Sequence, residues 1–137
     1  MSFITKTEFS THVYEENIEV ITRGDDTKLN DAIDAAIAEA SGYMSRYDHV
    51  TLFAATGTER DPILMMHIKD IAKWHFVNLC NASVDIELAL SRYKLAIAWF
   101  DKVQSGKIVT GWPAAPTDQS PSTTWHIASN TKRGNYY

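Results

Sequence analysis

The side chains best able to do chemistry crowd into one stretch, with His67, Asp70 and His75 in "LMMHIKDIAKWHF" followed by Cys80 and, further on, Tyr93. Two imidazoles and a carboxylate could ligate a metal or relay a proton. Ligands that share a helix favour i, i+3 or i, i+4 spacing, whereas these histidines stand eight residues apart, about 12 Å of helix. A shared metal is therefore disfavoured, and partly buried, hydrogen-bonded histidines are the simpler reading. The single cysteine excludes an internal disulfide and a multi-cysteine zinc site, and a thiol on an apolar helix face is ordinarily inert. There is no HExxH, no Gly-rich phosphate loop, no nucleophile elbow and no internal repeat. The expectation is a protein with no catalytic residues, no metal and no cofactor: not an enzyme.

The elements that carry these residues read almost entirely as helix. Thr5-Lys-Thr-Glu8 has the spacing of a capping box, so a first short helix starts there with Phe9 and Val13 on one face. A second, about Glu15–Thr22, pairs Ile18 with Ile21. The Arg23-Gly24-Asp25 string that follows matches an integrin-recognition tripeptide, but glycine after a helix is explained by its C-cap role. Leu29, Ile33, Ile37, Ala40, Met44 and Tyr47 then form one stripe on a long helix from Asp26 or Thr27. Gly42 within it costs about 1 kcal/mol relative to alanine, which points to a tight helix crossing.

"DHVTLFAATGTERD" interrupts the helices. Val50–Phe53 reads as short, apolar and β-prone, with Thr56-Gly57-Thr58 as a turn. Leu52 and Phe53 either cover the core as a flap or reach a neighbouring subunit, and a subunit interface is the expectation. Asp61-Pro62 restarts helix with an acceptor at N-cap and proline at N1. The segment that follows is apolar on nearly all sides, as suits the centre of a bundle. A last long helix is expected with Ser83 as its cap and Asp85 and Glu87 in its first turn. Its stripe is Ile86, Leu90, Tyr93, Ile97 and Phe100, widened by Leu88, Leu95 and Trp99, and Gly106 stops it.

The fold class is thus all-α: a small bundle of three long helices plus a short N-terminal helix pair, with an extended C-terminal tail. Residues 1–106 make the helical domain and 107–137 the arm. The last 27 residues hold three of the four prolines and no hydrophobic period, yet carry Trp112, Trp125, Tyr136 and Tyr137. Large aromatics without a core of their own suit anchors for an interface.

The chain has 137 residues, one domain's worth, with 45% hydrophobic and 22% charged residues, the balance of an ordinary globular protein. No apolar run approaches the ~20 residues that span a bilayer, so no membrane association is expected, and the N-terminal residues lack the basic and apolar regions of a signal peptide. Synthesis in the cytoplasm is expected. Residues 1–104 hold ten Lys and Arg against sixteen Asp and Glu, a net charge of −6, while residues 105–137 are at +2. An acidic body is unsuited to gripping nucleic acid, whereas the basic tail suits an acidic protein surface.

The pair "LNDAIDAAIAEASGYMSRYD" and "DPILMMHIKDIAKWHFVNLCNASVDIELALSRYKLAIAWFDKVQSGKI" resembles the small helical head-tail connector, or adaptor, proteins of tailed bacteriophages and Mu-like prophages. Ala36-Ile37, Ala40-Ser41, Met44, Arg46-Tyr47, Pro62, Tyr93 and Gly106 occupy the matching places, over about residues 3–109, and the chain departs from the pattern in the loop at 48–60. The resemblance implies a structural virion protein of the neck, assembled in the host cytoplasm. It would form a ring, expected to hold twelve copies, below the portal, through which DNA passes without specific binding. Its implied partners are the portal protein, neighbouring copies of itself and other neck or tail proteins. In that setting Trp112, Trp125, Tyr136 and Tyr137 become docking anchors, and Lys132 and Arg133 meet acidic groups. The reading held beside it is a small helical regulatory or DNA-binding module, which the acidic body and the lack of a basic helix disfavour.

Overall fold

A computed structural model of the chain describes residues 2–79 and 85–117. Ser83 and Cys80, like Trp125, Lys132, Arg133, Tyr136 and Tyr137, lie outside the described residues. The fold is all-α, with α1 Lys6–Phe9, α2 Glu15–Thr22, α3 Thr27–Tyr43, α4 His49–Ala54, a single 3-10 turn Gly57–Glu59, α5 Pro62–Asn78 and α6 Ile86–Gln104. α5 lies at the centre, packed against both α3 and α6, and α2 closes one end against α3. Its central position explains the near-continuous apolar run: Leu64, Ile68, Ile71, Ala72 and Phe76 are all fully buried.

Local chemistry sets most of the boundaries. Thr5 and Glu8 form a reciprocal capping box on α1, with the Glu8 carboxylate accepting from the Thr5 N–H at 2.9 Å. Asp61 Oδ1 accepts from the N–H groups of Ile63 and Leu64, both at 2.9 Å, with Pro62 in the first turn where no N–H is needed. α2 ends with Arg23 itself in the left-handed region (φ 52°) and Gly24 beyond it at φ 81°, so the Arg-Gly-Asp string is a helix terminus. Gly106, at φ 78°, turns the chain after α6 so that the Ile108 N–H donates to the Lys102 carbonyl at 3.1 Å. A Cβ on Gly106 would meet only Arg46 Nη1, the end of an exposed and flexible side chain, at 3.2 Å, so it is the positive φ that favours glycine there.

Four expectations are corrected. Val50–Phe53 is helical, part of α4, because Asp48 caps it through the Thr51 N–H (3.1 Å) and Thr51 Oγ1 (2.6 Å), and no strand lies among the described residues to pair with it. Gly42 marks no tight crossing: a Cβ there would meet nothing within 4 Å. Asp85 is the N-cap of α6, accepting from the Leu88 N–H at 3.0 Å, and is not a first-turn residue. The buried face of α6 is Ala89, Ala96, Phe100 and Val103, while Ile86, Leu88 and Leu95 are exposed. Phe100 is fully buried as the stripe expects, and Tyr93, Ile97 and Trp99 are partly buried and pack against the core.

Arg60 ties the N-terminal segment to the start of α5. Its guanidinium donates to the Phe3 carbonyl at 2.7 Å and makes a two-point contact with the Glu8 carboxylate, Nη1 to Oε2 at 2.9 Å. Phe3 in turn packs edge-on against Phe53, with ring centres 5.1 Å apart. The Arg60 hydrogen bond, and after it those from Thr5, hold the Glu8 carboxyl down at about 2, against 4.5 ordinarily. Because the folded value is depressed, the stability that Glu8 contributes is present above pH 4.5 and is lost as pH falls towards 2. In denaturant melts across that window the wild type is expected to lose more stability than Arg60→Met. Equal pH profiles for the two proteins would exclude this pair as a stabilising contact.

Candidate interaction surface

The chain after α6 does not leave the body at once. Pro113 and Ala115 lie antiparallel to the corner between α3 and α4: the Asp48 N–H donates to the Pro113 carbonyl at 2.9 Å, and the Ala115 N–H to the Arg46 carbonyl at 3.0 Å. Between these two bonds Tyr47 faces Ala114. Extended backbone of this kind cannot satisfy itself, so the corner supplies partners that a proline-containing segment lacks internally.

Trp112 fixes this segment. Its indole N–H donates to Asp61 Oδ2 at 2.9 Å, its ring stands edge-on to Tyr47 at 5.3 Å, and it lies 5.8 Å from Trp99. Trp99 stacks on His67 at 4.5 Å and meets Phe100 edge-on at 5.1 Å. A chain of rings therefore runs from the α3–α4 corner to the interior of the bundle. Burial holds the pKa of His67 below its ordinary value, against a smaller opposing pull from Asp70. The imidazole is thereby favoured in its neutral form, as a flat surface for Trp99. Trp112, expected as a docking anchor, is thus half-buried against its own chain, and residues 107–117 of the expected arm include a stretch laid on the body.

Leu52 and Phe53 on α4 are half-buried and pack against the core, as the flap reading describes. Val50 on the same helix points outward and is 70% exposed. α4 is joined to the docked segment through Asp48, and Trp112 is joined to the α5 start through Asp61. The 48–60 region and the root of the C-terminal segment consequently share one end of the molecule. No motif in the sequence announces this junction; the signal was the apparently stray Trp112 following a helix stop.

The residues able to do chemistry are engaged elsewhere. Glu39 on α3 accepts from Tyr93 Oη at 2.6 Å and pairs with His75 Nε2 at 2.7 Å, and Trp74 stacks on Tyr93 at 5.7 Å. The Glu39 hydrogen bond, then burial, push the Tyr93 phenol up to about 12, so it is held protonated as a donor. Such a phenol is a poor nucleophile, and the trio clamps α3, α5 and α6 together. His67 and His75 are not brought together on one ligand, and among the described residues no group of three or more His, Cys, Asp or Glu is placed to hold a metal. No helix among them is long and apolar enough to cross a membrane.

The family model described as Bacteriophage Mu, Gp36 matches residues 3–129. No curated protein and no solved structure matches the chain.

The aromatic junction has a direct test. Trp112→Ala removes a hydrogen bond to a charged acceptor and a half-buried ring, and is expected to cost about 2 kcal/mol in urea unfolding, with Trp112→Phe costing about half as much. Unchanged stability in Trp112→Ala would mean that the segment after Gly106 is not held to the body.

Proposed function

Since the chain belongs to the bacteriophage Mu Gp36 family, a phage structural or assembly protein, we propose that it serves as a head-tail connector, or adaptor, subunit of the virion neck. Copies of it form a ring below the portal, and DNA crosses that ring without being gripped. The observation that carries this reading is the junction at Asp48, Asp61 and Trp112, which gathers the 48–60 region and the root of the C-terminal arm at one end of the bundle. An adaptor needs contact elements of defined origin on a rigid body. Docking residues 112–115 on the bundle fixes the point from which the chain leaves it.

Charge supports the same reading. With a net charge of −6 in residues 1–104, the body repels phosphate, so a duplex passing close to it does not stick. The basic pair Lys132 and Arg133 meets acidic groups on the portal or a neighbouring subunit, beside Trp125, Tyr136 and Tyr137 as apolar anchors. Interface aromatics can carry ~2 kcal/mol or more each, against about 0–1 for an exposed ion pair.

Co-sedimentation with the purified portal protein of the same phage, together with mass measurement of the protein alone and in the complex, tests the proposal. The full chain is expected to bind as a ring, Trp125→Ala to bind more weakly than Lys132→Ala, and a chain ending at residue 117 to keep its fold and lose the portal. A protein that ignores the portal yet binds duplex DNA with a steep salt dependence would replace the adaptor reading with that of a DNA-binding module.

A further inference from the structure

Side-chain contacts fix how α5 and α6 lie together. His67 stacks on Trp99 at 4.5 Å, Asp70 lies 3.7 Å from Arg92 Nη1, and Trp74 stacks on Tyr93 at 5.7 Å, so the two helices run antiparallel. The Asp70–Arg92 contact marks one flank of the pair. On that flank Met66 and Ile63 stand one and two turns before Asp70, and Leu95 and Trp99 one and two turns after Arg92. These four residues line an apolar strip that runs from Arg92 towards Asp61. Ile63 is 52%, Met66 46% and Leu95 67% exposed, while Trp99 is partly buried against the core.

The strip begins where the docked segment ends its path. Trp112 donates to Asp61, two residues before Ile63, and its ring lies 5.8 Å from Trp99. From Trp112 the chain reaches Ala115, bonded to the Arg46 carbonyl, and residues 118–137 follow beyond the described chain. They include Trp125 and Ile127, apolar side chains with no hydrophobic period of their own. The path from Ala115 back past Trp112 and Trp99 to Leu95 is about 23 Å, and the ten residues from Ala115 to Trp125 can span ~33 Å. Trp125 is therefore able to reach the whole strip.

We propose that this strip is the seat of the chain's own C-terminal segment, with Trp125 set between Met66 and Leu95 beside Trp99. Two physical arguments choose that occupant over a second copy. The exposed surface of Ile63, Met66 and Leu95 amounts to roughly 300 Å², well under the ~800 Å² that each partner of a stable complex contributes. A tethered segment needs far less, because a short linker holds it at an effective concentration in the millimolar range. A contact too weak to pair two molecules is then still populated. The chemistry of the strip suits an indole as well: the thioether of Met66 adapts to an aromatic face, and Trp99 offers a ring edge. The seat is a property of the free protein and does not depend on the neck position proposed above. A partner that takes Trp125 first lifts it from this strip.

Full-length protein, isotope-labelled at its methionine and leucine methyl groups and followed by nuclear Overhauser contacts, tests it. Contacts from the Trp125 ring to the methyls of Met66 and Leu95 are expected. They should persist on tenfold dilution and be absent from spectra filtered for contacts between labelled and unlabelled chains. Trp125→Ala is expected to shift the Met66 methyl and to leave that of Met44, buried in the core, in place. Leu95→Gln, at an exposed position, is expected to remove the Trp125–Met66 contact. Should that variant fold poorly, Met66→Gln read at the Leu95 methyls makes the same comparison. No contact from Trp125 to either side chain, or one that survives both glutamine variants, would overturn the proposal. So would contacts found only between chains, which assign the strip to a second copy. Co-sedimentation with the portal reads the neck assignment separately, so either reading can fail without the other.

Discussion

Asp61 spends its two carboxylate oxygens on different parts of the chain. Oδ1 caps the central helix α5, and Oδ2 takes the indole N–H of Trp112 from a segment some fifty residues later. The start of α5 and the route of the chain after α6 are therefore settled at one side chain. Capping alone would have left Oδ2 to water; the indole instead finds an ionised acceptor at a place where one is already held still. The docked segment inherits the rigidity of the bundle through this bond, and the backbone pairing at Arg46 and Asp48 extends it by three residues.

Around that point the molecule is organised as a central helix with polar clamps at its margins. Apolar packing of α5 against α3 and α6 supplies the bulk of the stabilisation. The Glu39–His75–Tyr93 trio and the Arg60–Glu8–Phe3 contacts then choose how the surrounding pieces sit on it. Side chains that might have suggested catalysis are in this way taken up by structure: Tyr93 is kept protonated and His67 is used as a stacking surface. For a phage assembly protein this division suits the task, since a rigid bundle can present contact surfaces without having to move.

Composition and placement of charge complete the division of labour. Residues 1–104, at a net charge of −6, set a field that discourages a polyanion within a screening length of their surface, while residues 105–137 carry a net +2.

The residues legible from the sequence were those governed by near neighbours along the chain. Thr5 with Glu8, Asp61 with Pro62, and Gly106 each act within four residues, so their spacing alone announced α1, α5 and the end of α6. The stripe from Leu29 announced α3 for the same reason, helical period being a local property, but it ran on to Tyr47, whereas the helix ends at Tyr43 and Tyr47 pairs instead with Ala114. Tertiary structure decided whatever depended on partners distant in sequence. Val50–Phe53 had strand propensity, but a strand requires another strand, and the Asp48 cap favoured helix instead. On α6, Ala89 and Ala96 are buried together with Phe100 and Val103 while Ile86, Leu88 and Leu95 are exposed, a choice made by what packs against the helix and absent from the hydrophobic period itself. Trp112 was read as an anchor for a partner; its acceptor within the chain, Asp61, lies 51 residues away, and only the folded chain brings the two within a hydrogen bond.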